Sequence, residues 1–351
     1  MRCGTATRRM IATKRAGRSR DRRATLTGRS VRIYLNTYAE MRVKDTMTQV
    51  ETYAQPAGES DNHARSYAHL SARPLASSMG AEISGVELKR IDDSTFAEVA
   101  DALYHHKMVF FRDQDLSFAD QENLTERFGE FGTDAYTPGM PGHPQIQRVL
   151  KEADERAPLI FGGSWHTDSP FLERPPAISL LYGVDIPPYG GDTIWTNTVR
   201  AFATLGETMQ RVLSTLRVHM SGRRVFAALK QHAAGDEIHI TSMAVSLQEK
   251  KLVDGAVHPL VRTHPVTGEK SLYVDETYAV GIDGMSDYEA RPLLDFLCAH
   301  VTQPLFQCRL QWEPGTFAIW DNRLCLHHAF NDHDGFRREM LRTIVEGEVP
   351  A

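Results

Sequence analysis

AISLLYGVDI, residues 177–186, is an apolar run of strand length that ends in a Pro-Pro-Tyr-Gly-Gly turn. The same texture recurs in DTIWTN (192–197), HPLVRTHP (258–265), SLYVD (271–275), TFAIWDN (316–322) and RTIVEGEV (342–349). Many short β-branched and aromatic runs, each closed by Gly, Pro or Asp-Asn, predict a closed all-β sandwich or jelly roll. Between them RAFATLGETMQRVLSTL (200–216) and DYEARPLLDFLCAHV (287–301) carry helical spacing. The fold class read from these patterns is mainly β with flanking helices, in one domain and without internal repeats.

Upstream, ARPLASSMGAEISGVEL (72–88) reads as short strands broken at Gly80 and Gly85. IDDSTFAEVADALYHHK (91–107) is a helix, with Asp92, Asp93 or Ser94 as cap and Phe96, Val99, Leu103 and Tyr104 at helical spacing. MVFFR (108–112) is a buried strand, and SFADQENLTERFGEFG (117–132) a second helix stopped by Gly129 or Gly132. The domain is expected over 68–351, after a basic, disordered extension over 1–67.

That extension skews the charge. Residues 1–46 hold thirteen Lys or Arg against three Asp or Glu, a surplus of ten positive charges, which leaves −15 for the rest of a chain whose total is −5. An acidic domain is a poor nucleic-acid binder. The low hydrophobicity and high charge of the first residues fit disorder, a targeting segment, or sequence upstream of a true start at Met47. No apolar run approaches the ~20 residues a membrane span needs. The four cysteines, Cys3, Cys298, Cys308 and Cys325, form neither a disulfide framework nor a C-x-x-C pair, which places the chain in the cytoplasm with inert thiols.

GSWHTDSPF (163–171) carries His166 and Asp168, two residues apart, so an extended backbone projects both to one side. One His and one carboxylate make half of a facial metal site, and alone the pattern is common among polar strand ends. FAIWDNRLCLHHAFNDHDGFRREMLRT (317–343) supplies His327 and His328 at the end of an apolar strand. Two His and one carboxylate leave three positions open, the signature of non-haem Fe(II) oxygen chemistry. Arg338 follows His327 by eleven residues, far enough for the chain to return on a neighbouring strand and grip a carboxylate. 2-Oxoglutarate needs both features, a metal for its keto acid and a cation for its far carboxylate.

These blocks resemble the taurine dioxygenase family, the TauD/TfdA-like group of 2-oxoglutarate oxygenases. The matching segments are SMGAEISGVEL, VFFRDQ, RFGEFG, SWHTDSPFLERPPA, GGDTIWTN, HPLVRTHPVTGEKSLYV, WDNRLCLHHAFND and RREMLRTIVEGE, in family order over roughly residues 70–349. The resemblance implies a double-stranded β-helix (jelly-roll) core, dimers or tetramers, and consumption of O2 and 2-oxoglutarate. His166, Asp168 and His327 match the iron ligands, Thr193 and Arg338 the residues that bind the far carboxylate of 2-oxoglutarate, and Arg342 an arginine that faces the substrate's sulfonate in the taurine enzyme. The carboxylate Asp168, which related halogenases lack, points to hydroxylation.

The implied substrate is a small organic anion: a sulfonate, a sulfate ester, an aryloxyalkanoate or another anionic metabolite. Where the taurine enzyme has a histidine, a tyrosine and an asparagine against taurine, this chain has Asp134, Thr137 and Gly162, and an Asp there would repel a sulfonate. His328 is expected on the opposite strand face from His327. His105, His106, His219, His258 and His264 read as structural, Arg337 as a solvated or structural partner, and Trp165 and Trp320 as core. Tyr278 and Phe226 are candidates for a pocket wall. Two other classes stay open: a zinc hydrolase on the same ligands, which leaves Thr193 and Arg338 without a role, and an inactive binding module with a basic tail.

Overall fold

The computed structural model describes residues 62–351 apart from 135, 157–159, 161, 233–238, 241–242 and 245–248. The basic segment 1–46 lies outside the described residues. Asn62, upstream of the expected domain start, is buried, and its side-chain amide donates to the carbonyls of Ala76 (2.7 Å) and Gly80 (2.8 Å).

The main layer is an eight-stranded sheet in the order Ser71–Pro74, Ala81–Ser84, Met108–Phe111, Phe317–Asp321, Ile178–Asp185, Arg338–Val345, His143–Lys151, Gly139–Met140. Its pairings are antiparallel except for Ala81–Ser84 against Met108–Phe111. That parallel step has the crossover it requires, the helix Asp93–His106. A three-stranded sheet, Gln307–Leu310, Thr193–Asn197, Cys325–Ala329, packs against the large one. The two form an open sandwich and not the closed structure expected from the strand count: among the described residues no strand ladder joins them. A second three-stranded sheet (Ala256–Pro259, Arg217–Met220, Ala279–Ile282) lies outside this core.

Period-2 alternation assigns each side chain of the large sheet to one of two cores. Val109, Phe111, Phe317 and Ile319 face the helices Asp93–His106 and Phe118–Phe128, meeting Val99, Leu103 and Leu124. Met108, Phe110, Ala318 and Trp320 face the small sheet, meeting Trp195, Cys308, Leu310 and Trp312. Both faces of MVFF are therefore buried, which is why it reads as a continuous apolar run.

The helix ends follow their local chemistry. Asp92 caps the first helix by accepting from Thr95 N (2.8 Å), and Lys107 ends it in the left-handed region at φ 68°. Ser117 and Asp120 form a capping box on the second helix, which Gly129 ends. The segment 200–216 becomes two short helices, Thr198–Ala203 and Glu207–Leu213, separated at Gly206. Gly80 takes φ 82° where an added Cβ would stand 2.8 Å from Cys308 Sγ. Burial pushes the Cys308 thiol up to about 12, in keeping with an inert core residue. Among the described residues no helix is long and apolar enough to cross a membrane.

Phe110 is 2% exposed between the sheets. Phe110→Ala should destabilise the protein by about 3–5 kcal/mol in urea unfolding, whereas Tyr288→Ala, at a side chain 89% exposed, should stay within about 0.5 kcal/mol. Equal effects at the two positions would contradict this core assignment.

Candidate metal centre

His327 sits in the strand Cys325–Ala329, opposite Trp195, inside the small sheet. His166 lies on an irregular segment that this strand captures. His166 N donates to His327 O (3.1 Å), and His327 N donates to His166 O (2.8 Å). The two imidazoles meet with ring centroids 4.1 Å apart. Asp168 follows two residues later, its Oδ1 3.9 Å from His166 Nε2 and 3.8 Å from His327 Nε2. One ligand atom from each residue falls within 4.8 Å of the others, and all three residues are buried. Ser169, next in the chain, holds φ 40°, a backbone geometry a serine adopts only under constraint.

The three groups are held in ligand form. His166 Nδ1 lies 2.7 Å from Ser164 O, so that nitrogen carries the proton and Nε2 presents its lone pair. Burial and the nearby His166 hold the His327 imidazole well below its ordinary pKa, hence neutral. Asp168 Oδ2 accepts from Ser179 Oγ, which accepts from Asn322 Nδ2 (2.8 Å), whose Oδ1 accepts from Trp320 Nε1 (2.9 Å). This chain fixes one carboxylate oxygen and leaves Oδ1 toward the histidines. Burial pushes the Asp168 carboxyl up, opposed by His166 and by the hydrogen bonds of Ser179 and Asn322. A divalent cation would reverse that penalty, and two neutral imidazoles with one carboxylate fit Fe(II).

Arg338 and Thr193 approach the same end of the sandwich. Gly191, φ 67°, packs so close that an added Cβ would stand 3.1 Å from Arg338 Cδ and Nε. The Arg338 guanidinium is buried, and its Nε has no hydrogen-bond partner. Burial lowers its pKa to about 10, against the pull of Asp192 and Asp332. Asp192 shares its charge with a second arginine, since its Oδ2 accepts from Arg309 Nε at 2.7 Å. A buried guanidinium in this state calls for an anion. Thr193 Oγ1 accepts from Trp312 Nε1 (2.9 Å), which leaves the threonine's own proton available to donate.

Arg342, four residues along the same strand, is found paired. It donates to Asp168 Oδ1 (3.2 Å) and forms a short ion pair with Asp134. It borders a cavity of about 690 Å³ together with His166, Asp168, Tyr136, Tyr278 and Arg224. Tyr278 thus lines the wall, as its sequence position suggested, while Phe226 lies in the adjoining apolar cluster. His328 also borders the cavity and packs edge-on to Trp165 with centroids 5.7 Å apart. Sequence reasoning missed Ser179, Asn322 and Arg224. Ser179 had a signal, as the only serine in a strand whose first four residues are all buried.

A facial His/Asp/His set, together with a buried arginine whose Nε has no hydrogen-bond partner, fits the class of non-haem iron oxygenases that use a keto-acid co-substrate. The comparisons agree. The family model described as "Taurine catabolism dioxygenase TauD, TfdA family" matches residues 71–344, and the chain belongs to that family. It is an Fe(II)/2-oxoglutarate-dependent dioxygenase, with O2 as the oxidant. It is 34% identical over 283 residues to an alkylsulfatase of Acinetobacter baylyi, covering 80% of this chain and 86% of that one. It is 34% identical over 285 residues to an alpha-ketoglutarate-dependent sulfate ester dioxygenase of Pseudomonas putida, covering 80% and 91%. A solved taurine dioxygenase from Burkholderia xenovorans superposes with TM-score 0.65 at 32% identity, covering 81% and 91%. Such folds have the jelly-roll core that the resemblance implied.

Removing the hydroxyl that orients a ligating carboxylate weakens metal affinity about 10–100-fold. Ser179→Ala should raise the Fe(II) dissociation constant by that factor, measured anaerobically by competition with a chelator. An unchanged constant would show that Asp168 needs no such support.

Proposed function

We propose that this chain hydroxylates a C–H bond of a small organic anion, a sulfonate, sulfate ester or aryloxyalkanoate, while 2-oxoglutarate is decarboxylated to succinate. His166, Asp168 and His327 hold iron in this reading, and Thr193 and Arg338 hold the far carboxylate of 2-oxoglutarate. The observation that carries it is the coexistence of the facial ligand set with a buried guanidinium whose Nε lacks a partner. The relatives named as an alkylsulfatase and a sulfate ester dioxygenase support the substrate class.

When bound, the metal supplies the coupling of O2 reduction and keto-acid decarboxylation to C–H oxidation. The chain supplies position. Arg338 gives charge and a planar fork, and Thr193 adds a hydroxyl proton that Trp312 leaves unused. Ser164 O sets the His166 tautomer, and the Ser179–Asn322–Trp320 chain sets the Asp168 rotamer. Tyr136, Ile160, Val225 and Tyr278 give the cavity an apolar wall that displaces water from the reacting carbon.

The deciding experiment measures succinate formed aerobically by the Fe(II)-loaded full chain across a panel of sulfonates, alkyl sulfates and aryloxyalkanoates. Substrate-stimulated succinate is expected, with His166→Ala abolishing it. Arg338→Gln should raise the KM for 2-oxoglutarate roughly 10–100-fold, the worth of about 1.5–3 kcal/mol in a charge-assisted pair. Failure to bind either iron or 2-oxoglutarate would overturn the assignment.

A further inference from the structure

We propose that Asp134 sets the substrate class by neutralising Arg342: the cavity takes organic anions whose charged group lies far from the oxidised carbon and is met by Arg224 at the cavity mouth. This rests on the dioxygenase reading above and narrows its substrate.

Arg342 is the cation nearest the metal ligands, bonded to Asp168 Oδ1 at 3.2 Å. An anion placed on it would hold its own first carbons against the metal. Asp134 already occupies that guanidinium, and both side chains are buried. Asp134 is itself fixed, accepting from Tyr136 N (2.7 Å), Thr137 Oγ1 (2.6 Å) and, at 3.4 Å, Thr137 N. A substrate anion would have to break a buried ion pair and leave a carboxylate unpaired. It would also meet an even charge balance. Asp134, Asp168 and the chelating carboxylate of 2-oxoglutarate supply three negative charges, while Arg342 and Fe(II) supply three positive ones. No cationic surplus remains at the inner end of the cavity.

The inner wall instead offers aromatic surface. Tyr136 and Tyr278 are buried there, with their hydroxyls paired at 3.0 Å and both rings packed on Phe171. A hydrocarbon or aryl segment fits against them.

Two further cations border the cavity, Arg224 and Arg291. Arg291 is paired with Asp295 at 2.7 Å. Arg224, exposed on the helix Arg223–His232, has no carboxylate within ion-pair distance among the described residues and makes one long contact to Ala279 O (3.4 Å). Glu276 on the same wall accepts from Trp165 N. An exposed arginine over a buried apolar interior suits an amphiphile with its head outward and its tail toward the metal. The reaction then inserts oxygen into a tail C–H: R–H, O2 and 2-oxoglutarate give R–OH, succinate and carbon dioxide. The bond to the anionic group stays intact.

The test compares two anions with one head group, ethanesulfonate and 1-octanesulfonate. Each is titrated calorimetrically into full-length protein loaded anaerobically with Fe(II) and 2-oxoglutarate. Octanesulfonate should bind the natural chain and lose roughly tenfold in affinity in Arg224→Gln, about one charge-assisted hydrogen bond. Ethanesulfonate should bind weakly to the natural chain and gain roughly tenfold in Asp134→Asn. Aerobic product analysis should give hydroxylated octanesulfonate and no sulfite. If Asp134→Asn gains no affinity for ethanesulfonate, if Arg224→Gln leaves octanesulfonate unchanged, or if sulfite is the main product, the proposal is overturned. The visible band of the Fe(II)–2-oxoglutarate chelate serves as the control. Its absence in the natural chain would defeat the dioxygenase reading itself, and its loss only in Asp134→Asn would move the test to Asp134→Ser.

Discussion

Two reciprocal backbone hydrogen bonds between His166 and His327, at 3.1 and 2.8 Å, join the two halves of the candidate metal centre. His327 belongs to a regular strand, whereas His166 and Asp168 lie on a segment with little regular structure of its own. The bridge fixes the height of that segment over the small sheet, and with it the distance between the two imidazoles. The consequences run outward. Ser169 must take φ 40° so that the chain can leave toward Pro170 and Phe171. Phe171 then packs on Tyr136 and Tyr278 and closes the aromatic wall. Local strain is tolerated where surrounding bonds over-determine the backbone.

Asp168 ties this pair to the large sheet. Its Oδ2 reaches Ser179 on Ile178–Asp185, and Ser179 reaches Asn322 just after Phe317–Asp321. Trp320 completes the chain from Asn322 and also packs on His327, with ring centroids 4.9 Å apart. A residue read as core from its sequence is core, and in addition it supports two candidate metal ligands, Asp168 through a hydrogen-bond network and His327 through a tilted ring contact. Core packing and ligand geometry are therefore one set of contacts. This explains how an open sandwich, without barrel closure, can hold three candidate ligands in place with support from both layers.

The fold was legible wherever burial produces a regular period. MVFF announced a buried strand, and the helix ends fell at Asp92 and Gly129, each among the candidates the sequence offered; FAIWD read only as an apolar run, and the division of its side chains between two cores came from the fold. Closure was not legible, because strand number and apolar character are the same for an open sandwich and a barrel; hydrogen bonding between edges decides it, and that depends on twist. The candidate triad that the fold brings together was named from the His-x-Asp spacing and from the family resemblance that singled out His327. Its support was harder: Ser179 and Asn322 are ordinary polar residues until the fold brings them 2.8 Å apart over 143 positions. The pairing of Arg342 with Asp134 spans 208 positions and rests on a loop, so no periodicity points to it. Only the matching of positions with the taurine enzyme drew attention to Asp134.

Arg338 and Arg342 show how the same residue type can serve opposite ends on one strand. They stand four apart on Arg338–Val345, on the face that also carries Met340 into the core between the sheets. An interval of four strand residues is about 13 Å, enough to separate the far carboxylate of a five-carbon keto acid from the substrate cavity. Arg338 is desolvated, with a lowered pKa of about 10 and an unpartnered Nε, so its charge is held ready for an incoming carboxylate. Arg342 is equally buried, yet its charge is spent on Asp134 and Asp168. The strand therefore offers one open cationic position and one closed one. In the proposed reading an anion gains most at Arg338, where a slim, extended dicarboxylate that also reaches the metal would satisfy both ends. On that reading it is the pairing of the Arg342 terminal nitrogens, and not burial, which the two arginines share, that separates the co-substrate's place from the substrate's.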